Sequence, residues 1–346
     1  MIKSVCESSL KTLEQFLKKS LYFVAGLPLL HQVGNLWRGR ACVLCYHRVL
    51  PEEEFEADKS PNSNLIMPTS KFAEQMSYLA ENYEVVSMDD LVGHLKGDSK
   101  EFVVAVTFDD GYKDNLTHAL PILEQYNIPA TIYITTRFPE GDTWMWWNEI
   151  WDYLDNNTAL EVNDVPEGLT ISTLRQKIKC FNKLFDWILN LSYKKQKKYV
   201  ETLTKSVARK QYSNLCLNWE EIKILDQHPL VTIGAHTNSH PNLKKLTEKE
   251  AFAEMSHSKN LLEEKLKHSV EHFAYPFGTH NEADVREFEL ASRCGFRTAV
   301  TTRPESLKFP ALNAIPRLGV PSYLNLRGFI GKLSGLEIMA RNITHL

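Results

Sequence analysis

The stretch VVAVTFDDGY at 103–112 decides the fold, because an apolar run there ends in two adjacent acids and a glycine. A short run rich in β-branched residues predicts a buried strand. Neighbouring side chains at a strand end point in different directions, so Asp109 and Asp110 can serve different purposes. Gly111 allows the chain to turn sharply. The two acids could instead cap a helix expected near 115–126, so this stretch alone defines no site.

Similar apolar runs alternate with helical patterns along most of the chain. One predicted helix carries Phe72, Met76 and Leu79 on a single face, with Thr69 or Ser70 as its expected cap. The alternation of strands and helices predicts a parallel sheet or barrel. The predicted strands are 41–46, 84–87, 102–108, 130–135, 231–235, 272–276, 297–301 and 314–318.

This alternation breaks between about 136 and 217, where WMWWNEIW at 144–151 is followed by one long lysine-rich helical stretch from Ser172 to Lys210. No linker rich in Pro, Gly or Ser flanks it. We therefore predict a helical insertion at about 150–217 on a barrel spanning 40–321, and not a separate domain. The basic run YKKQKK is interpreted as a solvated helix face, with an anionic lipid or phosphate partner as the alternative. The apolar face of the stretch carries Ile178, Phe181, Leu184, Phe185 and Ile188.

Two further strand ends carry polar or unusual residues. In VTIGAHTNSHPNL at 231–243, a single helical turn would place His236 and His240 on one face, as a shared metal requires. With a carboxylate from elsewhere, such a pair favours a divalent metal over two structural histidines. In HFAYPFG at 272–278, the turn offers a backbone N–H and an aromatic wall, or simply a loop with a buried Phe.

Taken in order, TFDDG, HTNSH and FAYPFG resemble the motifs of the polysaccharide deacetylase family with its NodB-homology domain. LCYHRV at 44–49 resembles the first strand of that family, and the resemblance covers roughly residues 40–320. It implies a distorted (β/α) barrel with the site at the carboxyl ends of the strands. It also implies a metal-dependent hydrolase that removes N-acetyl groups from amino sugars.

The resemblance also assigns roles by position. It makes Asp109 the general base, and it makes Asp110, His236 and His240 the ligands of one divalent metal. The backbone N–H of Phe277 becomes the oxyanion contact. Zinc is the expected metal, with cobalt, nickel and manganese as alternatives.

At two positions the sequence departs from the family pattern, and other residues would have to take over the missing roles. Many members have Arg where Ala274 stands, and we expect Arg317 in IPRLGV to orient the base instead. The Leu-x-His motif that supplies the general acid is absent; we prefer His47 as its replacement, with His280 as the alternative.

Aromatic residues of the WMWWNEIW segment and of the third motif are expected to bind sugar rings by stacking. These candidates are Trp144, Trp146, Trp147 and Tyr275. The alternative is that two of the three tryptophans only anchor the core of the insertion.

Composition narrows the classes of protein. The 346 residues carry a net charge of -3, which does not support a nucleic-acid binder recognised by bulk charge. Six irregularly spaced cysteines do not form a disulfide framework, and Cys42 and Cys45 are interpreted as buried, inert thiols. No apolar window approaches the roughly 18 residues of a spanning helix.

Both ends of the chain are amphipathic, at 1–39 and 322–346. Either segment could lie on a membrane or simply pack on the barrel. No secretion signal is evident, so we expect a cytoplasmic protein with peripheral contact at the inner membrane face. Its expected partner is an N-acetylated glycan or lipid-linked sugar. The alternatives are an amidase acting on a non-sugar C–N bond, or a non-catalytic glycan-binding or assembly protein.

Overall fold

Ten strands make up the sheets of the computed structural model, which describes residues 38–58, 60–160, 169–205, 212–307, 311–336 and 338. The expectations for residues 1–37 and 339–346 lie outside these ranges. The strands are β1 (Ala41–Tyr46), β2 (Arg48–Leu50), β3 (Ile66–Pro68), β4 (Glu84–Val85), β5 (Val103–Phe108), β6 (Ala130–Ile134), β7 (Val231–Ala235), β8 (His272–Ala274), β9 (Thr298–Val300) and β10 (Leu318–Gly319).

Eight of these strands form one sheet in the order β10-β1-β5-β6-β7-β8-β9, with β4 beside the start of β5. Every pairing within it is parallel. Ile315 bridges to Val300 at one edge, and Leu318 pairs with Leu44 at the other, so this segment closes the curled sheet into a distorted barrel. The predicted α/β fold is confirmed, and β2 and β3 pair separately.

Several predicted strands are shorter than expected, and two of them differ for identifiable local reasons. The run at 84–87 pairs only as β4, because Ser87 caps a helix that begins at Met88. The run at 314–318 is divided, since its start touches β9 and its end joins β1 as β10. Pro316 lies between the two contacts and has no backbone N–H to donate to a ladder.

Helices cover the outside of the barrel and form the insertion. Among the described residues, no helix is long and apolar enough to cross a membrane. The α-helices are α1 (Glu52–Ala57), α2 (Thr69–Asn82), α3 (Met88–Lys96), α4 (Leu120–Tyr126), α5 (Trp146–Asn156), α6 (Leu174–Leu189), α7 (Tyr193–Leu203), α8 (Trp219–Asp226), α9 (Glu248–Leu266), α10 (Val285–Arg293) and α11 (Leu326–Leu333). Shorter turns are the 3-10 helices Pro61–Leu65, Ser213–Leu215 and Leu243–Lys245, and the π-helix Asn115–Ala119.

The cap expected for α2 is different in the structure. Thr69 is already the first helical residue, and neither Thr69 nor Ser70 caps the helix. The carboxylate of Glu52 does so from α1, accepting hydrogen bonds from the Ser70 backbone N–H at 2.8 Å and the Thr69 hydroxyl at 3.0 Å. A long-range partner therefore replaces the local one.

Alternation along the strands separates the two faces of the barrel wall. Val43, Ala105 and Tyr133 belong to an apolar cluster that includes Met88 and Leu91 of α3, which close the amino end of the barrel. The alternate positions pack against the outer helices in a larger cluster that contains Leu44, Val106 and Ile132. The face that carries Val43 and Ala105 continues through Cys45 and Thr107 to Asp109.

The insertion has an apolar core of its own, to which α5, α6 and α7 contribute Trp146, Phe181 and Val200. The single helix expected from Ser172 to Lys210 is instead two helices. Asn190 ends α6, and its side-chain amide donates to the carbonyl of Asp186 at 2.8 Å. Such a side chain competes with continued helix, which explains the break.

The described part of the C-terminal tail packs on the barrel. Phe329 and Leu333 of α11 are fully buried, and Leu336 and Ile338 are 5% exposed. Helix α11 contacts α2. The apolar face expected to reach a membrane is therefore covered by the protein itself in these residues.

Candidate active site

A tight turn after β5 separates the two adjacent acids. Asp110 and Gly111 both adopt left-handed backbone conformations, with φ of 74° and 71°. The left-handed φ of Gly111 favours glycine, and a Cβ there would also lie 2.8 Å from the Cδ1 tip of the Ile134 side chain. Asp109 continues the strand and donates its N–H to the carbonyl of Tyr46 at 3.1 Å. Both side chains are buried, and the turn sends them to different neighbours.

Asp110 meets the two histidines that follow β7. Its Oδ1 lies 3.4 Å from Nε2 of His236 and 3.2 Å from Nε2 of His240. The expected helical turn between the histidines is wrong, since the loop uses left-handed conformations at Thr237 and His240, with φ of 64° and 56°. Those two bends still bring the imidazole rings to 4.9 Å of one another.

These three side chains fit a divalent metal. His236 Nδ1 lies 2.8 Å from the carbonyl of Ala274, which can only accept, so neutral His236 presents an unprotonated Nε2 to Asp110. Burial lowers the pKa of His236, but Asp109 and Asp110 outweigh it and raise that pKa, so either a proton or a divalent cation can lie between these two atoms. Ligands at roughly 2.0–2.2 Å from a tetrahedral metal are roughly 3.3–3.6 Å apart, close to the observed spacing.

The remaining polar atoms support the same assignment. Asp110 Oδ1 and His240 Nδ1 are buried without a hydrogen-bond partner in the described part of the chain. Burial alone would raise the pKa of Asp110, but His240 and His236 outweigh it and hold that pKa well below its ordinary value. The carboxylate is therefore ionised, as a metal ligand must be.

Asp109 is held by Arg317. The guanidinium donates from Nη1 to Oδ1 at 2.7 Å and from Nη2 to Oδ2 at 2.6 Å. It also donates to the Thr301 carbonyl and the Thr107 hydroxyl, both at 3.0 Å. Burial raises the pKa of Asp109, but the charges of Arg317 and His236 reverse this and lower it to about 2. The structure thus brings Arg317 into direct contact with Asp109, the residue that it was expected to orient.

The end of β1 adds two groups beside Asp109. Cys45 Sγ lies 3.5 Å from Oδ2 of Asp109, while Cys42, three residues earlier, belongs to the outer core. Residues three apart on a strand face opposite sides, so the C-x-x-C spacing brings no thiol pair together. His47 lines a cavity that Asp109 also lines, and burial lowers the pKa of its imidazole. His280 is 66% exposed, lies beside Glu305 and does not line this cavity.

Phe277 completes the site at the turn after β8. Its φ is 60°, and Gly278 follows with φ of 65°; a Cβ on that glycine would lie 2.8 Å from the backbone N of Thr302. No acceptor in the described residues takes the backbone N–H of Phe277. The Phe277 ring packs against His240, with centroids 4.7 Å apart. The left-handed turn leaves this N–H available beside the metal-binding triad.

A cavity of about 520 Å³ connects these groups. Its apolar wall consists of Trp147 and Phe277 together with Phe185 and Leu189 of α6. Asp109, Asp110, His236 and His240 line it as well. One opening therefore exposes the ionised acid, the candidate metal-binding triad and an apolar surface.

The four aromatic residues expected to contact sugar have different environments. Trp147 lines the cavity, with its ring 5.1 Å from that of His240. Trp146 is 1% exposed and stacks on Phe185 inside the insertion, and Trp144 packs edge-on against Tyr193. Tyr275 is fully buried, and its hydroxyl donates to the Asn313 carbonyl at 2.8 Å. These last three do not line the cavity, since Trp144 and Trp146 pack within the insertion and Tyr275 packs within the barrel.

Several cavity residues were missed by sequence reasoning. Phe185 lies on the apolar stripe of α6, where spacing predicts burial but not which ring reaches a cavity. Arg48 and Tyr112 stand next to recognised motif residues, and that proximity is the one signal the sequence offers for them. The sequence indicates only a buried thiol at Cys45, and its contact with Asp109 becomes visible in the structure.

Comparisons with known proteins identify the family and the fold. The sequence model of the polysaccharide deacetylase family matches residues 96–164 and 180–299, more than half of the chain. A curated relative, YxkH of Bacillus subtilis (strain 168), is a candidate polysaccharide deacetylase and is 23% identical over 265 residues. That alignment covers 76% of this chain and 64% of YxkH, so the chain spans just under two thirds of the relative's length.

Two solved structures share the fold. The Streptococcus pyogenes deacetylase PplD, in complex with acetate, has a TM-score of 0.56 at 19% identity, covering 85% of this chain and 97% of PplD. IcaB from Ammonifex degensii has a TM-score of 0.52 at 20% identity, covering 86% of this chain and 97% of IcaB. Asp109, Asp110, His236 and His240 all lie within the stretch that the family model matches. The chain belongs to the polysaccharide deacetylase family.

Proposed function

We propose that this protein is a metal-dependent hydrolase that removes N-acetyl groups from an amino sugar in a polysaccharide or a lipid-linked glycan. One observation carries the proposal: an ionised acid and a metal-binding triad face the same cavity. Asp109 is kept charged by Arg317, and Asp110 converges with His236 and His240. Water attack on an amide needs both a base and a means of polarising the carbonyl.

The triad would hold one divalent metal, with zinc as the expected ion. When bound, the metal supplies Lewis-acid chemistry, lowering the pKa of water and polarising the acetamide carbonyl. Closed structural zinc sites use four protein ligands, whereas three leave room for water and substrate. The three ligands found here therefore favour a catalytic site.

Residues of this chain would carry out the proton transfers and stabilise the developing negative charge. Asp109 accepts the proton of the attacking water, since its lowered pKa keeps it ionised at neutral pH. The unpartnered N–H of Phe277 donates to the oxygen that becomes negative as the amide carbon turns tetrahedral. The departing sugar amine needs a proton, and His47 lines the cavity where it can pass one on. Its lowered pKa leaves the imidazole neutral at rest, so it first takes up the proton that Asp109 accepts from the attacking water. The products are acetate and a free amino group.

The cavity wall favours a sugar over a non-sugar amide. Trp147 and Phe277 present aromatic rings beside His240, and such rings stack on the apolar faces of sugars. A purely binding protein would not need Asp109 to be held ionised and buried by Arg317. These two observations support the proposal of a glycan deacetylase over an amidase or a non-catalytic protein.

The test is acetate release from chitooligosaccharides and lipid-linked N-acetyl sugars, with simple N-acetyl amides as the comparison. Asp109→Asn should retain stoichiometric metal yet lose roughly 10²–10⁴-fold in turnover, the usual worth of a general base. Asp110→Asn is the matched control at the next position, and it should lose the metal as well. Near wild-type turnover in Asp109→Asn would exclude its role, and release from simple amides alone would favour the amidase.

A further inference from the structure

Helix α7 presents a strongly basic surface. Lys194, Lys195, Lys197 and Lys198, here called the α7 lysine face, are all exposed. The residues of α7 that are buried are Gln196, Val200 and Leu203. At 3.6 residues per turn these two sets fall on opposite sides of the helix. The buried side joins the core of the insertion, and the lysines project outward.

The α7 lysine face lacks the ion pairs seen on other helices. Lys223 lies 2.8 Å from Glu220 on α8, and Lys259 lies 3.0 Å from Glu263 on α9. No salt bridge within the described ranges involves the α7 lysine face. Glu201 is the one acid on the exposed side of α7, so the face keeps a net positive charge. The whole chain has a net charge of -3, which makes this a local concentration of charge.

This surface adjoins the site. Tyr193, the first residue of α7, has its hydroxyl 3.4 Å from that of Ser239, in the loop between the two histidine ligands. Just before it, the carbonyl of Leu189 accepts from Asn242 at 3.1 Å, and Leu189 lines the cavity. The lysines therefore begin one residue beyond a contact with the metal-binding loop.

We infer that the α7 lysine face docks the protein on an anionic lipid surface. None of its four lysines lines the described cavity, and all lie on the side of α7 opposite its buried residues. Ammonium groups act as mobile point charges, which suits an extended field of headgroups more than recognition of one fixed group. Each lysine near an anionic leaflet strengthens binding by about fivefold. The inference goes beyond the proposed reaction and does not depend on it.

Sedimentation of the full chain with lipid vesicles tests the inference. The protein should partition to vesicles of phosphatidylglycerol and phosphatidylcholine, and not to vesicles of phosphatidylcholine alone. Binding should weaken at high salt, which screens exposed charges. A variant combining Lys194→Gln, Lys195→Gln, Lys197→Gln and Lys198→Gln should lower the partition coefficient by at least about tenfold.

A second variant removes the same charge elsewhere, combining Lys96→Gln, Lys100→Gln, Lys245→Gln and Lys249→Gln. It should bind within about twofold of wild type, because a surface docks through the charges nearest to it. Circular dichroism checks that both variants are folded. Equal partition of both variants, no preference of the wild type for anionic vesicles, or retention on a soluble polyanion such as dextran sulfate without vesicle binding would each overturn the inference.

Discussion

Asp109 and Asp110 are adjacent residues of the same type, yet their different partners suit them to different chemical roles. Both are buried, and burial alone would raise the pKa of each. Asp109 instead receives two hydrogen bonds from Arg317, whereas Asp110 faces two imidazoles and leaves Oδ1 without a donor. A bidentate guanidinium holds a carboxylate ionised and fixed, which suits a base. An oxygen left open suits a ligand.

The Asp109–Arg317 pair predicts a pH dependence of stability. The folded pKa of Asp109 is about 2, below its ordinary value of 3.8. A depressed pKa contributes stability above pH 4 that is lost as the pH falls through the folded pKa, here about 2 kcal/mol. The free energy of unfolding should therefore fall between pH 4 and 2 by about that much more in wild type than in a variant combining Asp109→Asn and Arg317→Met. Denaturant titrations at several pH values measure it, and equal losses in both proteins would contradict the pairing.

Residue types were more predictable from sequence than their environments. Arg317 could be proposed because a strand-end arginine was needed, and the closing strand of a barrel lies near its first strands. Tyr275 and Trp146 could not be excluded from the site, since a side chain's direction depends on turn geometry. The turns of the site use left-handed residues at 110, 237, 240 and 277, and non-glycine residues give no clear sequence signal for this conformation.

At the scale of elements, the loop after β7 explains how two histidines converge without a helix. Glu254 of α9 organises this loop: its Oε2 accepts from the backbone N–H groups of Asn238 and Ser239, at 3.1 and 2.8 Å. Its Oε1 accepts from the Ser239 hydroxyl at 2.7 Å. One carboxylate thus satisfies three donors between His236 and His240.

We expect Glu254→Ala to weaken metal binding, because the loop would lose the acceptor that orders it. Removing such supporting groups typically lowers metal affinity by about 10–100-fold. Glu264→Ala is the matched control, an exposed glutamate on the same helix, and it should leave the affinity unchanged. Competition with a chelator measures both. Equal affinities would mean that the loop holds its shape without Glu254.

Elements with strong local signals were predicted well, and those set by distant contacts were not. The bounds of β1 and β7 agree with the predicted 41–46 and 231–235, because buried parallel strands are continuous apolar runs. The lysine-rich stretch was predicted as one helix, since its apolar periodicity continues past the break at Asn190. The replacement of the α2 cap by Glu52 depends on a contact from another helix, which periodicity cannot reveal.

At the scale of the molecule, the cavity belongs to both the barrel and the insertion. The barrel supplies the charged groups at its strand ends, and the insertion supplies Phe185 and Leu189 opposite them. Phe185 connects the two, since it stacks on Trp146 with centroids 4.9 Å apart and packs edge-on against Phe277 at 6.0 Å. The insertion therefore supports the turn that presents the Phe277 N–H.

Replacing this contact should affect catalysis more than stability. Phe185→Ala opens the cavity wall and frees the Phe277 ring, so we expect kcat/KM for acetate release to fall by about tenfold, since small misplacements of a donor cost up to about 10²-fold. Phe138→Ala, in the same apolar core, is the control: Phe138 is 2% exposed and does not line the cavity. It should cost more stability, about 3–5 kcal/mol for a buried Phe, with a smaller loss of kcat/KM. If the two variants lost activity only in proportion to their stability, the insertion would merely pack on the barrel, and Phe277 would be positioned by its own turn.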